Sequence, residues 1–171
     1  IACCDLIVVM GGDDQMDPNE LQNLLIPLTL GDADYVKGNR LGHPENKMRM
    51  PMIRRLGTLC LSHLTRIATG LSPLQDSQCG FTAITKQALA SLPIDELFPR
   101  YGYPNDLLSM LALQRLRVRD VVVTPIYGSE HSGLRVHRVL LPLCGILCRA
   151  TIRRLLAKIR PTLPMLINKG T

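Results

Sequence analysis

The stretch DLIVVMGGDDQMDP, Asp5 to Pro18, decides how the rest of the chain is read. Leu6 to Met10 are all apolar, three of them β-branched, and Gly11-Gly12 ends the run. That is the pattern of a short buried strand. Behind it Asp13, Asp14, Gln15 and Asp17 crowd into five positions. Like charges held this close repel, so the cluster is costly unless a cation settles among its oxygens. Asp17-Pro18 also reads as a helix start, with Asp17 as N-cap, Pro18 at the first helical position and Glu20 in the first turn. A strand that delivers its carboxyl end into such a cluster just before a helix is the repeating unit of an α/β sheet, and ligands of such sheets gather there.

Working outward, the first helix is expected to end near Leu30 at Gly31, with a second strand from about Asp34 to Lys37 closing at KGNR. Met50 to Thr69 is the clearest helix: Ile53, Leu56, Cys60, Leu64 and Ile67 are spaced for one buried face, and Gly70 closes it. CGFTAIT reads as a strand, Lys86 to Ser91 as a short helix, Asn105 to Leu116 as another, and VRDVVVTPIY as a last strand. Strands alternating with helices predict the α/β class with a mostly parallel sheet.

A length of 171 residues suits one domain with or without an appendage, and 46% hydrophobic residues suffice for a core. The longest strongly apolar run, Val139 to Cys148, is about half of the ~20 residues that a spanning helix needs. The six cysteines form no CxxC pair and lie mostly in apolar segments, so they read as reduced core thiols rather than metal ligands. The net charge of +6 is unevenly placed. His131 to Thr171 carries eight Lys or Arg and no acid, whereas residues 1–130 hold twelve bases and fourteen acids, a charge of −2. Leu134 to Ile159 interleaves apolar residues with Arg135, Arg138, Arg149, Arg153, Arg154 and Lys158. Such a segment suits the interface of an anionic membrane; the plainer reading is a terminal helix packed on the body. Nucleic acid is not expected, because the tail has no aromatic residue on which a base would stack.

Closely spaced Asp and amide oxygens behind a strand suit Mg²⁺ or Mn²⁺, hard cations that take one or two protein oxygens and fill their shell with phosphate and water. Asp13 and Gln15 lie two apart and can point to one side of an extended segment. The competing reading is a turn ahead of a helix with surplus surface charge.

VVMGGDDQMDP resembles the segment of glycosyltransferase family 2 that carries the DxD motif, in the branch related to dolichyl-phosphate mannosyltransferase. Further similar segments follow in order: DADYVKGNR, MIRRLGTLCLSHLTRIATG, DSQCGFTAIT, RYGYPNDLL and VVVTPIYGSEHS. Together they span roughly residues 5–133. The resemblance implies a GT-A type fold, with residues 1–133 as a partial transferase domain and 134–171 as basic amphipathic helices at the membrane interface. It implies a divalent metal at Asp13 and Gln15, with Gly11 standing where the family has its first Asp. It also implies an upstream strand–helix–strand segment for the nucleotide base, so the chain reads as a fragment.

The same resemblance gives roles to other residues, each beside a plainer one. Arg40, after Gly38 and Asn39, would sit near the donor phosphates; otherwise it is a surface Arg in a turn. Arg54 or Arg55 would meet the phosphate of a lipid acceptor, or face solvent. Asp76 and Gln78 of DSQCGF would lie over sugar and acceptor, or open a strand. Asp106 holds the position of a general base, with Asn105 replacing an acid, or caps its helix. His131 and Ser132 would lie on a loop beside the site, where Glu130 and His131 would bind or, on the plainer reading, face solvent. The function implied is sugar transfer, with inversion, from a nucleotide-sugar donor to a lipid-phosphate acceptor at the cytoplasmic face of a membrane. The alternative is a non-catalytic membrane-associated partner that keeps the fold.

Overall fold

The computed structural model describes residues 4–12, 15–45, 48, 50–99, 102–126 and 136–159. Strand β1 (Leu6–Val9) is followed in the chain by a 3-10 turn at Pro18–Glu20 and helix α1 (Leu21–Thr29). Asp17 caps this start as its sequence suggests, its carboxylate accepting from the Asn19 N–H at 2.9 Å. Gly31 takes φ 71° past the end of α1, and β2 (Tyr35–Asn39) follows. Next come helix α2 (Met52–Thr69), β3 (Thr82–Thr85), the short α3 (Lys86–Ala90), α4 (Tyr103–Leu113), β4 (Val118–Val122) and the long α5 (Val136–Ile159).

The four strands lie in the order β1-β3-β2-β4. β3 is antiparallel to both β1 and β2, while β2 and β4 are parallel. The sheet is therefore mixed rather than mostly parallel in its pairings: β1, β2 and β4 run one way and β3 runs between two of them in reverse. The alternation of helix and strand hides this, because α2 returns the chain to the carboxyl end of β2, where the loop 75–78 lies, and β3 starts from there. The three codirectional strands still deliver their ends to one edge, which is the property that matters for a site.

Period-two alternation gives the sheet a core on each face. Tyr35, Ile84 and Val118 pack with Leu74, Leu108 and Leu111 on one side. Val36, Ala83 and Val123 pack with Leu24, Leu28 and Phe81 on the other. Gly38 in β2 is needed for closeness: a Cβ there would stand 2.9 Å from Cys79 Sγ and 3.0 Å from Val123 Cγ2.

Helix α2 forms where expected, closed by Gly70 at φ 81°, but it faces the opposite way. The side against the body carries Thr58, Ser62, Thr65, Ala68 and Thr69. The apolar stripe looks outward, with Ile53 88%, Leu56 67% and Ile67 58% exposed. Small residues let the helix approach closely, and their hydroxyls meet polar groups beneath: Ser62 Oγ bonds the Ser77 N–H at 2.9 Å and Thr65 Oγ1 bonds Asn105 Oδ1 at 2.9 Å. The cysteines differ from expectation too. Cys4, Cys60, Cys79, Cys144 and Cys148 are free thiols, but Cys79 alone of these five is buried, because Cys60, Cys144 and Cys148 fall on outward helix faces.

Helix α5 packs on α2 and α4 through Leu143, Ile146 and Ala150. Three of its arginines turn to the body. Arg149 pairs with Asp106 at 2.5 Å, Arg153 with Glu96 at 3.7 Å, and Arg154 donates to the Ile67 carbonyl at 2.6 Å. That last bond satisfies an orphan carbonyl at the negative end of α2. No helix among the described residues is long and apolar enough to cross a membrane.

Candidate active site

Past the ends of β2 and β4 a shallow open groove is lined by Gln15, Met16, Glu20, Arg40, Cys79, Phe81, Val123 and Thr124. Gln15 and Arg40, two residues chosen from sequence, thus share one groove. Asp13 lies outside the described residues, as do Glu130, His131 and Ser132.

Arg40 emerges from β2 and is held by Asp76. Its Nε donates to Asp76 Oδ2 at 2.8 Å, its Nη2 to Oδ1 at 3.2 Å, and its backbone N–H to Oδ2 at 3.2 Å. This is a two-point fork that fixes the guanidinium plane at the cleft. Asp76 is fully buried. Burial pushes its carboxyl up, but the Arg40 charge and hydrogen bonds, with Lys37 and the Gln78 N–H behind them, hold it below the usual carboxylate range. Gln78 continues the chain: its backbone N–H donates to Asp76 Oδ1 at 3.0 Å and its Nε2 to Asn105 Oδ1 at 3.2 Å. Arg40, Asp76 and Gln78 are brought together as one hydrogen-bonded unit.

Beside this unit lie two ionisable residues that the sequence reading overlooked. Lys37 and Asp120 are register partners on β2 and β4. Lys37 is buried and its Nζ donates to the Cys79 carbonyl; burial lowers its pKa. Asp120 Oδ2 accepts from the Gln75 N–H at 2.5 Å and the Asp76 N–H at 3.3 Å, pinning the loop that carries Asp76. Burial raises the Asp120 carboxyl to about 6, against the pull of those two N–H groups and Lys37. The available signal was a Lys inside YVKGN and an Asp inside VRDVV, each a charge at a strand position.

Other residues stand apart from the Arg40 unit. Arg54, exposed on α2, donates from Nη2 to Gln15 Oε1 at 3.3 Å, so these two form a second pair at the rim. Asp106 is buried; besides Arg149 it accepts from the Phe98 N–H at 2.9 Å. In this arrangement it ties α4 to α5. Glu20 accepts from the Thr124 N–H at 3.0 Å and hydroxyl at 2.7 Å, closing the far wall.

Among the described residues no group of three or more His, Cys, Asp or Glu is poised to hold a metal. The groove edge offers Gln15 as an oxygen donor, two positions after Asp13 in sequence. That donor type fits Mg²⁺ or Mn²⁺, which need few protein oxygens when diphosphate completes the shell.

No family model matches the chain. It is 28% identical over 137 residues to the UDP-N-acetylglucosamine–dolichyl-phosphate N-acetylglucosaminyltransferase of Methanococcus voltae, covering 80% of this chain and 54% of that protein. It is 24% identical over 135 residues to an uncharacterized protein of Methanocaldococcus jannaschii, covering 79% and 55%. The chain thus spans about half the length of the curated relatives it matches. Among solved structures it is similar to glucosyl-3-phosphoglycerate synthase from Mycobacterium tuberculosis bound to UDP, with TM-score 0.64 and 18% identity over 88% of this chain and 50% of that one. The same enzyme with Mn²⁺, UDP-glucose and phosphoglyceric acid gives TM-score 0.57 and 22% identity, over 86% and 51%. With its mixed sheet flanked by helices and its strand ends gathered on one cleft, the chain has a GT-A-like glycosyltransferase fold.

Proposed function

We propose that the protein is a family 2 glycosyltransferase that moves a sugar, with inversion, from a nucleotide-sugar donor to a polyprenyl phosphate at the cytosolic face of an anionic membrane. The observation that carries this reading is the Arg40–Asp76–Gln78 unit, set beside Gln15 where β2 and β4 end. The methanogen relative's name, with its UDP-sugar donor and dolichyl-phosphate acceptor, supports the same substrate classes.

Arg40 is suited to the donor diphosphate because Asp76 holds its plane before substrate arrives, and preorganised charge costs no rearrangement during the reaction. Mg²⁺ or Mn²⁺ held by Asp13 and Gln15 would neutralise the leaving diphosphate. Arg54, bonded to Gln15, stands where an acceptor phosphate can be gripped next to the same loop. A phosphate monoester has its second pKa at about 6, so the nucleophilic oxygen is already anionic at neutral pH. It attacks the anomeric carbon, the bond to the diphosphate breaks with its electron pair, and no proton has to move. Positioning and charge neutralisation are then the main demands on the protein.

The test is transfer from UDP-N-acetylglucosamine, and from UDP-glucose, to a short polyprenyl phosphate with Mn²⁺ present. Product is expected, with loss of at least 100-fold in Asp13→Ala and in Arg40→Ala. Metal-independent turnover unaffected by Asp13→Ala overturns the metal assignment. Tight donor binding without any transfer returns the chain to a non-catalytic partner role.

A further inference from the structure

The outward face of α2 has no structural duty within the described body, yet among the described residues it holds several of the most exposed large apolar side chains. Met52, Ile53, Leu56 and Ile67 are each more than half exposed, as are Ile152 and Leu155 on the adjoining α5. The two stripes meet where Arg154 of α5 bonds the Ile67 carbonyl of α2. Leaving such a surface in water forgoes the stabilisation that burying each large side chain would return, so it is expected to have a cover.

Charge selects the cover. Met52–Thr69 and Val136–Ile159 carry eight Lys or Arg and no Asp or Glu; Arg149, Arg153 and Arg154 turn to the body, whereas Arg54 and Arg55 of α2 lie between Ile53 and Leu56 of the apolar stripe. A second copy docked through this face would bring two acid-free, cationic surfaces together, which repel. A layer of anionic headgroups over hydrocarbon meets both demands: acyl chains take the apolar stripe and phosphates take the cations. We propose that the outward face of α2, continued by Ile152 and Leu155 of α5, is the docking surface of this protein for an anionic lipid bilayer. The helix, about 27 Å long at 1.5 Å per residue, would lie in the plane of the interface. Arg54 on that helix bonds Gln15, so docking sets the rim of the cleft at headgroup depth. The inference deepens the membrane part of the proposed function and rests on it for the choice of partner.

Flotation of the full chain with vesicles tests it without donor, metal or turnover, so its outcome is read separately from transfer. Binding is expected to vesicles of phosphatidylcholine with 30–40% phosphatidylglycerol, and weaker binding to phosphatidylcholine alone. The pair Ile53→Ser with Leu56→Ser, both already in water, is expected to weaken partition at least tenfold with unchanged circular dichroism. Leu30→Ser, which removes a similarly exposed apolar side chain just past the end of α1, is expected to leave it intact. Equal partition of the double variant and the parent overturns the proposal. So does a solution dimer, seen by sedimentation, that the double variant abolishes while vesicles are not bound.

Discussion

At the scale of single residues, the site depends on buried charges whose balance is visible in their pKa directions. Asp120 is raised from 3.8 to about 6 by burial, so the folded state binds its proton where the unfolded chain does not. Between about pH 4 and 6 the native state therefore holds more protons, and stability falls as pH rises through that window. The expected outcome is a melting temperature that increases on going from pH 7 to pH 5, and an increase that shrinks in Asp120→Asn. The amide oxygen can still accept from the Gln75 and Asp76 N–H groups, so the variant isolates the charge. Calorimetric scans of both proteins across this range check it; parallel curves would remove Asp120 as the cause. Asp76 is the opposite case, held low by Arg40 and Lys37 against burial. Removing it leaves Arg40 and the Gln78 N–H without their shared acceptor. Asp76→Ala is expected to cost about 3 kcal/mol, the usual scale for breaking a largely buried pair from one side. Urea titration measures it, and a loss under 1 kcal/mol would mean that the fork is not structural.

At the scale of elements, what could be read from sequence depended on whether local chemistry or tertiary partners decided the outcome. The Asp17 cap, the Gly31 and Gly70 stops and the strand that opens DLIVVMGG were legible because each is a local backbone requirement. The stripe on α2 was legible as a period, but period does not say which way a stripe points. Ser62, Thr65 and Ala68 took the inward place because Ser77 and Asn105 needed hydroxyl partners at close range. The reversal of β3 was hidden for a related reason, since strand direction follows from where α2 returns the chain. Arg40, Asp76 and Gln78 were found through resemblance, whereas Lys37 and Asp120 become partners only through the β2–β4 register. Gly70 joins both kinds of constraint. Its φ of 81° disfavours any side chain, and a Cβ would stand 2.6 Å from the Arg154 guanidinium. Gly70→Ala is expected to cost more than the roughly 1–2 kcal/mol of left-handed strain alone, because Arg154 must also leave the α2 terminus. Arg154→Ala with Gly70→Ala in a double-mutant cycle should show coupling; strict additivity would deny that α5 caps α2.

At the scale of the whole molecule, the basic C-terminal region and the acidic body are not separate halves, since α5 locks onto α4 through Arg149 and Asp106. This contact bears on the chemistry, because the same Asp106 stands where a general base would be expected. A phosphate acceptor needs no base, whereas a hydroxyl acceptor loses about 10²–10⁴-fold without one. Asp106→Asn keeps an oxygen for the Phe98 N–H and removes the charge that holds Arg149. With a polyprenyl phosphate, the variant is expected to melt at a lower temperature yet transfer sugar within tenfold of the parent rate, measured well below either melting point. Arg149→Ala should lower the melting temperature likewise, and the two losses should be far from additive because they break one bond from its two sides. A loss of 100-fold or more in Asp106→Asn, with Arg149→Ala fully active, would instead make the carboxylate a base. The Arg149 pair would then be a resting arrangement that opens when an acceptor binds.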